Sequence, residues 1–142
     1  MDLFRALQIS ASGMSAQRAR METVTENLAN SESAVTATGR PYQRKIVLLR
    51  TVDAGFQDAL RSADEPPGAV RVSSIVEGSE APRRVHQPDH PQAGTDGFVN
   101  MPNINPLREM LDMMSSTRAY EANATAFQAT KSMGAKLLEL LR

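Results

Sequence analysis

The sequence predicts a mainly α fold with a small β/loop-rich insertion. Long N- and C-terminal helices pair as a coiled coil, and the middle segment is made of short strands. Three observations carry this. Each end of the chain has apolar residues recurring every seven places, the spacing of helices that pack along their length. Seven of the eight prolines and six of the eight glycines lie between those ends. Aromatic residues are only 4% of the 142 and tryptophan is absent, which favours helix–helix packing through Leu, Met, Ala and Val over a dense core. The expected division is residues 1–30 as the N-terminal helix, 31–105 as the middle segment and 106–142 as the C-terminal helix.

The N-terminal helix is expected from Asp2, a capping residue, to about Asn30. Leu7, Met14, Met21 and Leu28 form a strict seven-residue row. Leu3 and Val24 lie on a neighbouring row, with Ser10 and Gln17 between them. Ala6, Ala11, Gly13 and Ala16 are small, so another helix axis can approach closely. Arg5 near the start and Glu22 and Glu26 near the end oppose the helix dipole. Such a helix is marginal alone and needs a partner.

The middle segment is cut too often by proline and glycine for a long helix. A short helix is conceivable from Ala54 to Arg61. Strands are expected at Tyr42–Thr51, Val70–Val76, Arg83–His86 and Gly97–Met101. Val70, Val72 and Val76 alternate with polar residues, as in a half-exposed strand. Glu65-Pro66-Pro67-Gly68 and Asp96-Gly97 are turn signals, and Ser31–Gly39 is a polar linker.

The C-terminal helix starts with the clearest local signal in the chain. Asn105 is a good N-cap, and Pro106 then falls at the first helical position, where its missing N–H costs nothing. Met113, Tyr120, Phe127 and Leu141 recur at seven-residue spacing, with Gly134 in the remaining slot. A second row reads Met110, Thr117, Ala124, Lys131, Leu138. Glu109 and Asp112 early, with Lys131 and Lys136 late, complement the dipole. At the usual rise this helix is about 50 Å long, too long for a small core to cover. The expected assembly seam is Leu7, Met14, Met21, Leu28, Met113, Tyr120, Phe127 and Leu141. Phe127→Ala in a fully buried seam costs about 3–5 kcal/mol.

Composition excludes several classes of function. Sixteen basic and sixteen acidic residues give zero net charge, which argues against nucleic-acid binding by bulk electrostatics. The absence of cysteine excludes disulfides and thiolate chemistry. No apolar run approaches membrane-spanning length, and the N-terminal stretch has no signal-peptide apolar region. His86-Gln87-Pro88-Asp89-His90 is the one His/Asp cluster, but it lies between prolines in a loop without an obvious third ligand, so the expectation is no metal. No serine–histidine arrangement or phosphate-binding glycine loop stands out, so neither catalytic residues nor a cofactor or small-molecule substrate is expected. An alternative from the binding class remains: a soluble coiled-coil adaptor with a loop-rich partner-binding segment.

Two stretches resemble known sequences. Ser10-Ala11-Ser12-Gly13-Met14-Ser15-Ala16-Gln17, followed by Glu26-Asn27-Leu28-Ala29-Asn30, resembles the N-terminal signature of bacterial flagellar rod and hook proteins. Met110–Lys131, with Ser116-Thr117-Arg118-Ala119-Tyr120-Glu121-Ala122-Asn123, resembles their C-terminal helix. Pro41-Tyr42-Gln43-Arg44-Lys45, Asp89-His90-Pro91 and Gly97–Asn105 narrow the resemblance to the short proximal rod proteins. Glu32-Ser33 departs from the small, Asn/Thr-rich run usual there, and residues 52–68 are not diagnostic. The resemblance implies a structural, non-enzymatic subunit of the flagellar basal-body rod. It implies passage through the flagellar type III export apparatus without a cleaved signal, and polymerisation in the periplasm into the drive shaft. Implied partners are copies of itself, other proximal rod proteins and the adaptor that joins rod to membrane ring.

Overall fold

The computed structural model describes residues 3–34, 40–52 and 68–140. Helix α1 runs Leu3–Ala29 and helix α2 runs Pro106–Leu140. Between them lie strands β1 (Lys45–Thr51), β2 (Val70–Glu77), β3 (Arg83–His86) and β4 (Phe98–Met101). The architecture is the mainly helical one that the sequence predicts. The Asp2 cap, the short helix at 54–61, most of the Glu65–Gly68 turn and Leu141 lie outside the described residues.

The two helices pack against each other in antiparallel sense along most of α1. Leu3 faces Gly134, Gly13 faces Asn123, Met21 faces Thr117 and Asn27 faces Glu109. Two close approaches explain two glycines. A Cβ on Gly13 would lie 3.0 Å from Asn123 Oδ1, and one on Gly134 would lie 2.6 Å from Leu3 Cδ2. The start of α2 is built as expected. Asn105 Oδ1 accepts from the N–H of Leu107 at 3.0 Å and of Arg108 at 3.4 Å, with Pro106 at the first helical position.

The inner face of α2 is shared unequally by the rows beside Met113. The half-buried row Met113, Tyr120, Phe127, Gly134 is joined by Glu109, Ser116, Asn123 and Thr130 and, from the row Met110, Thr117, Ala124, Lys131, Leu138, by the half-buried Thr117 and Ala124 alone. Glu109, Ser116 and Thr130 are buried, whereas Met110, Lys131 and Leu138 are exposed. Both rows fit a heptad with the Met113 row, one lying four residues before it and the other three. The polar row faces α1 because small side chains let the axes approach, and because its hydroxyls and amide are satisfied within their own helix. Ser116, Asn123 and Thr130 each donate to the carbonyl four residues back. In α1 the row Leu3, Ser10, Gln17, Val24 is half-buried to buried, and Gln17 Oε1 is buried with no partner among the described residues.

Strands β1 and β2 form an antiparallel hairpin against α1, with Lys45 opposite Glu77 and Thr51 opposite Val70. Val70 N donates to Ser12 Oγ at 3.1 Å, tying β2 to α1. The register shifts between Leu48 and Leu49, leaving Ser73 as an extra residue in β2. The expected alternation of Val70 and Val72 holds up to that bulge, beyond which Val76 is exposed. Strands β3 and β4 pair antiparallel from Arg83–Met101 to His86–Phe98. Val99 and Met101 pack on Ala34, flanked by Val85 and Ala93, as a small second core. Gly97, at φ +70°, closes the turn into β4. No helix among the described residues is long and apolar enough to cross a membrane.

Candidate functional site

The densest chemistry lies where the end of α1, the start of β1 and the first turn of α2 converge. Asn27 is its centre and is fully buried. Its amide treats the Lys45 backbone as a strand neighbour would: Nδ2 donates to Lys45 O at 2.9 Å, and Oδ1 accepts from Lys45 N at 2.8 Å. Oδ1 also accepts from the Tyr42 hydroxyl at 3.1 Å, and the second Nδ2 proton reaches Glu109 Oε2 at 3.1 Å. All four hydrogen-bonding capacities of the amide are thus used.

Glu109 is equally buried, 82 residues away in sequence from Asn27. Its other oxygen, Oε1, accepts from Arg44 Nε at 2.6 Å, and Arg44 also reaches Asp112 Oδ2 at 3.3 Å. The carboxylate is therefore paired and hydrogen-bonded, the condition under which a buried charge is tolerated. Lys45 Nζ pairs with Glu26 Oε1 and sits 5.8 Å from the Tyr42 ring centroid. Burial, and then the negative charges of Glu26, Glu77 and Glu109, push the Tyr42 hydroxyl up to about 12. Tyr42 therefore stays a neutral donor at any physiological pH. Beside the clamp, Arg20, Val24, Val47 and Ser116 line a cavity of about 60 Å³.

The clamp explains where β1 begins. The expected strand starts at Tyr42, but pairing starts at Lys45, because Tyr42 and Arg44 turn their side chains to Asn27 and Glu109. It also gives Glu26 a use: the residue that opposes the α1 dipole is the partner of Lys45.

The clamp is a structural arrangement, with no nucleophile set beside a base. The His86–His90 loop offers no other candidate. The His86 ring stands edge-on to Phe98 at 5.0 Å, and His90 Nδ1 accepts from Gln92 N at 3.2 Å. Among the described residues no three His, Cys, Asp or Glu side chains are grouped to hold a metal.

Comparison with known proteins gives this architecture its context. Residues 7–32 match the family model described as flagella basal body rod protein. Residues 95–140 match the one described as flagellar basal body rod FlgEFG protein C-terminal. The chain is 42% identical to the flagellar basal-body rod protein FlgC of Bacillus subtilis, over 99% of both chains. The chain belongs to the FlgC family. It is 41% identical to FlgC of Aquifex aeolicus over 98% of this chain and 97% of that one. It is 34% identical to FlgC of Salmonella typhimurium over 99% and 98%. The FlgC family is one of structural proteins, and this chain is a structural subunit of the flagellar basal-body proximal rod.

The residues expected to form the seam are distributed as follows. Leu7, Met14, Met21 and Leu28 of α1 and Met113, Tyr120 and Phe127 of α2 are all half-buried. Met21 meets Thr117, whose hydroxyl lies 3.5 Å from its sulfur. Sequence reasoning missed the clamp itself. Asn27, Tyr42, Arg44 and Lys45 all stand in stretches that resemble the FlgC family, but the sequence points to no clamp there: Arg44-Lys45 reads as a solvated face or an inter-subunit salt bridge, whereas both side chains pair within the chain. Glu109 reads in the sequence only as a complement to the helix dipole. The available signal is faint: a polar Asn on the inner side of α1, and a Glu at the head of the polar row Glu109, Ser116, Asn123, Thr130 of α2.

Proposed function

We propose that this subunit polymerises through its terminal helices into the rod that transmits torque, in the periplasm, with no bond made or broken. The observation that supports this best is the apolar surface the helix pair leaves uncovered. Leu107, Met110, Leu111 and Met114 form an exposed stripe at the start of α2. At its other end, α2 runs on past Gly134, which already faces Leu3. Leu137, Leu138 and Leu140 there are 55%, 72% and 83% exposed. Contiguous apolar surface of this kind marks an interaction site. The zero net charge does little to oppose self-association.

In this reading residues 1–30 and 106–142 form the inner, polymerising part, and 31–105 lies outside it. Leu7, Met14, Met21, Leu28, Met113, Tyr120, Phe127 and Leu141 line the assembly seam. Neighbours are copies of the chain, the other proximal rod proteins and the adaptor to the membrane ring. The subunit reaches them through the flagellar type III export apparatus without a cleaved signal. Full-length similarity to rod proteins, together with the unspent apolar surface, disfavours a free-standing coiled-coil adaptor.

The test is deletion of the gene in its host, with complementation by the intact gene. Swimming is scored, and purified basal bodies are viewed by electron microscopy. Loss of rod and hook with the membrane ring retained is expected. Normal rotating flagella in a strain with no second copy of the gene would overturn the reading.

A further inference from the structure

Strands β1 and β2 form a sheet of two strands with one face on α1. Their register fixes which side chains share the other face. Lys45 and Val47 are half-buried, and Ile46 and Leu48, which alternate with them, are exposed. Val76 stands opposite Ile46, Ser74 opposite Leu48 and, past the bulge, Arg71 opposite Arg50. The open face is therefore apolar at its start, where Ile46, Leu48 and Val76 are 38%, 45% and 37% exposed, and carries two arginines further on. A two-stranded hairpin is marginal alone. Here α1 supports one face, and nothing among the described residues covers the other.

The chain carries a surface that fits this face. Leu107, Leu111 and Met114 lie on the side of α2 turned away from Glu109, Ser116 and Asn123, with Met110 at its margin. Glu121 continues the same side. Leu111 and Glu121 are about 15 Å apart along the helix, and Ile46 and Arg50 are about 14 Å apart along the strand. With Leu111 over Ile46 and Val76, Met114 falls beside Leu48, Arg118 beside Ser74 and Glu121 at Arg50. Among the described residues Arg50 has no ion-pair partner, and Arg71 across the strand adds a like charge. A carboxylate is favoured there, and Glu121 is exposed and free to supply it.

Hairpin and stripe lie on different sides of one chain. The hairpin meets α1 at Ser12 and Asn27, whereas α2 meets it at Leu3, Gly13 and Met21. The match is therefore between molecules. A contact between two unlike surfaces leaves one of each free and so propagates, where a contact between like surfaces stops at two. Its seven apolar side chains, each about half exposed, fall short of the ~1,200 Å² that a stable pair buries. Such a contact is too small to pair subunits in solution and counts only where each subunit has several neighbours.

From this we propose that the Leu107–Met114 stripe of one subunit docks on the open face of the β1–β2 hairpin of a second copy of the chain. The proposal rests on the rod reading and deepens it by naming which surfaces meet.

The test uses assembled rods, and the natural absence of cysteine makes it clean. A strain lacking the gene receives two copies, one with Leu48→Cys and one with Met114→Cys. Basal bodies are purified, oxidised and run on non-reducing gels. The two copies together are expected to give at least tenfold more disulfide-linked dimer than either alone. They should exceed by the same factor Leu48→Cys with Ser15→Cys, which is exposed on another side of α1. Background dimer in rods that contain both copies overturns the docking and leaves the rod reading standing. A chain absent from purified rods sinks both. Where a cysteine copy fails to enter rods, a photo-reactive benzoylphenylalanine in place of Leu48 decides. An adduct mapped to residues 107–121 of a second copy supports the docking, while an adduct only with a different rod protein, or none, overturns it.

Discussion

The two ends of the helix pair are held by different physics. At one end, where α1 finishes and α2 starts, Asn27, Tyr42, Arg44 and Glu109 are joined by directed hydrogen bonds inside one chain. At the other end, Leu3 packs over Gly134, and α2 continues with its leucines exposed. The first end is complete in the single subunit, with every capacity of its central amide used. The second has apolar surface that nothing among the described residues covers. A subunit that must be specific on its own and adhesive in company needs both kinds of end. Directional polar bonds give specificity at little net stability, while apolar area gives stability with little specificity.

The strongest way to break the comparison is to orphan the buried charge. Arg44→Ala leaves Glu109 with Asn27 as its remaining donor. Removing one partner of a buried pair is expected to lower unfolding stability by about 3 kcal/mol in urea denaturation. A loss below about 1 kcal/mol would show that the carboxylate finds other solvation, and that this end is no more specific than the other.

Between the two ends lies the seam, whose test is Phe127→Ala. A fully buried phenylalanine would cost about 3–5 kcal/mol, but Phe127 is half-buried in the single chain. The expected loss in the free subunit is therefore smaller, about 2 kcal/mol by the same denaturation measurement. A loss near zero would remove Phe127 from the contact between α1 and α2.

The sequence makes the two ends unequally legible. The helices, their N-cap at Asn105 and one row of the seam follow from local rules: a capping side chain, a proline at the first position and a seven-residue period. Those signals lie within a few turns of each other, and so does the structure they dictate. The facing row was less legible, because Met110 and Glu109 stand three and four places before Met113 and both satisfy a heptad. Hydrophobicity favours Met110, but the clamp turns Glu109 inward. The clamp was illegible for the same reason that makes it specific. Its bonds join residues 65 and 82 apart in sequence, and no local pattern announces such a pairing. Likewise, the register shift at Leu48 and Leu49 depends on how the two strands pair, not on β2 alone.

A subtler effect sharpens the account of the clamp. Tyr42→Phe removes the hydrogen bond to Asn27 Oδ1 while keeping the ring, at a cost of about 1 kcal/mol at neutral pH. The larger signature lies in alkali. The folded hydroxyl titrates near 12 against an ordinary value of 10.0. Between those values the unfolded chain has released a proton that the folded chain still holds, so stability falls as pH rises. Below about pH 10 the contribution is fully present, and it is lost as pH climbs towards 12. The parent chain should therefore lose stability over that window more steeply than Tyr42→Phe, and the difference between the two curves isolates this residue from titrating lysines. Parallel curves would mean that Tyr42 is more solvated than its bond to Asn27 implies.

The smallest effect on the free subunit is expected at the overhanging end, and there it is the most informative. Leu137→Gln, Leu138→Gln and Leu140→Gln together keep good helix formers on the helix and alter side chains that are mostly in water. Unfolding stability should change by less than about 0.5 kcal/mol per site. If these leucines meet a neighbouring subunit, the same triple variant should fail to restore swimming to a strain lacking the gene, although the protein is made and folds. Uncoupling stability from motility in this way is what an assembly surface does and a folding core cannot. A stability loss comparable to that of Arg44→Ala would place the leucines in the fold of the single chain. Full motility with unchanged stability would leave the stripe from Leu107 to Met114, at the opposite end of α2, as the surface to test for contacts between subunits.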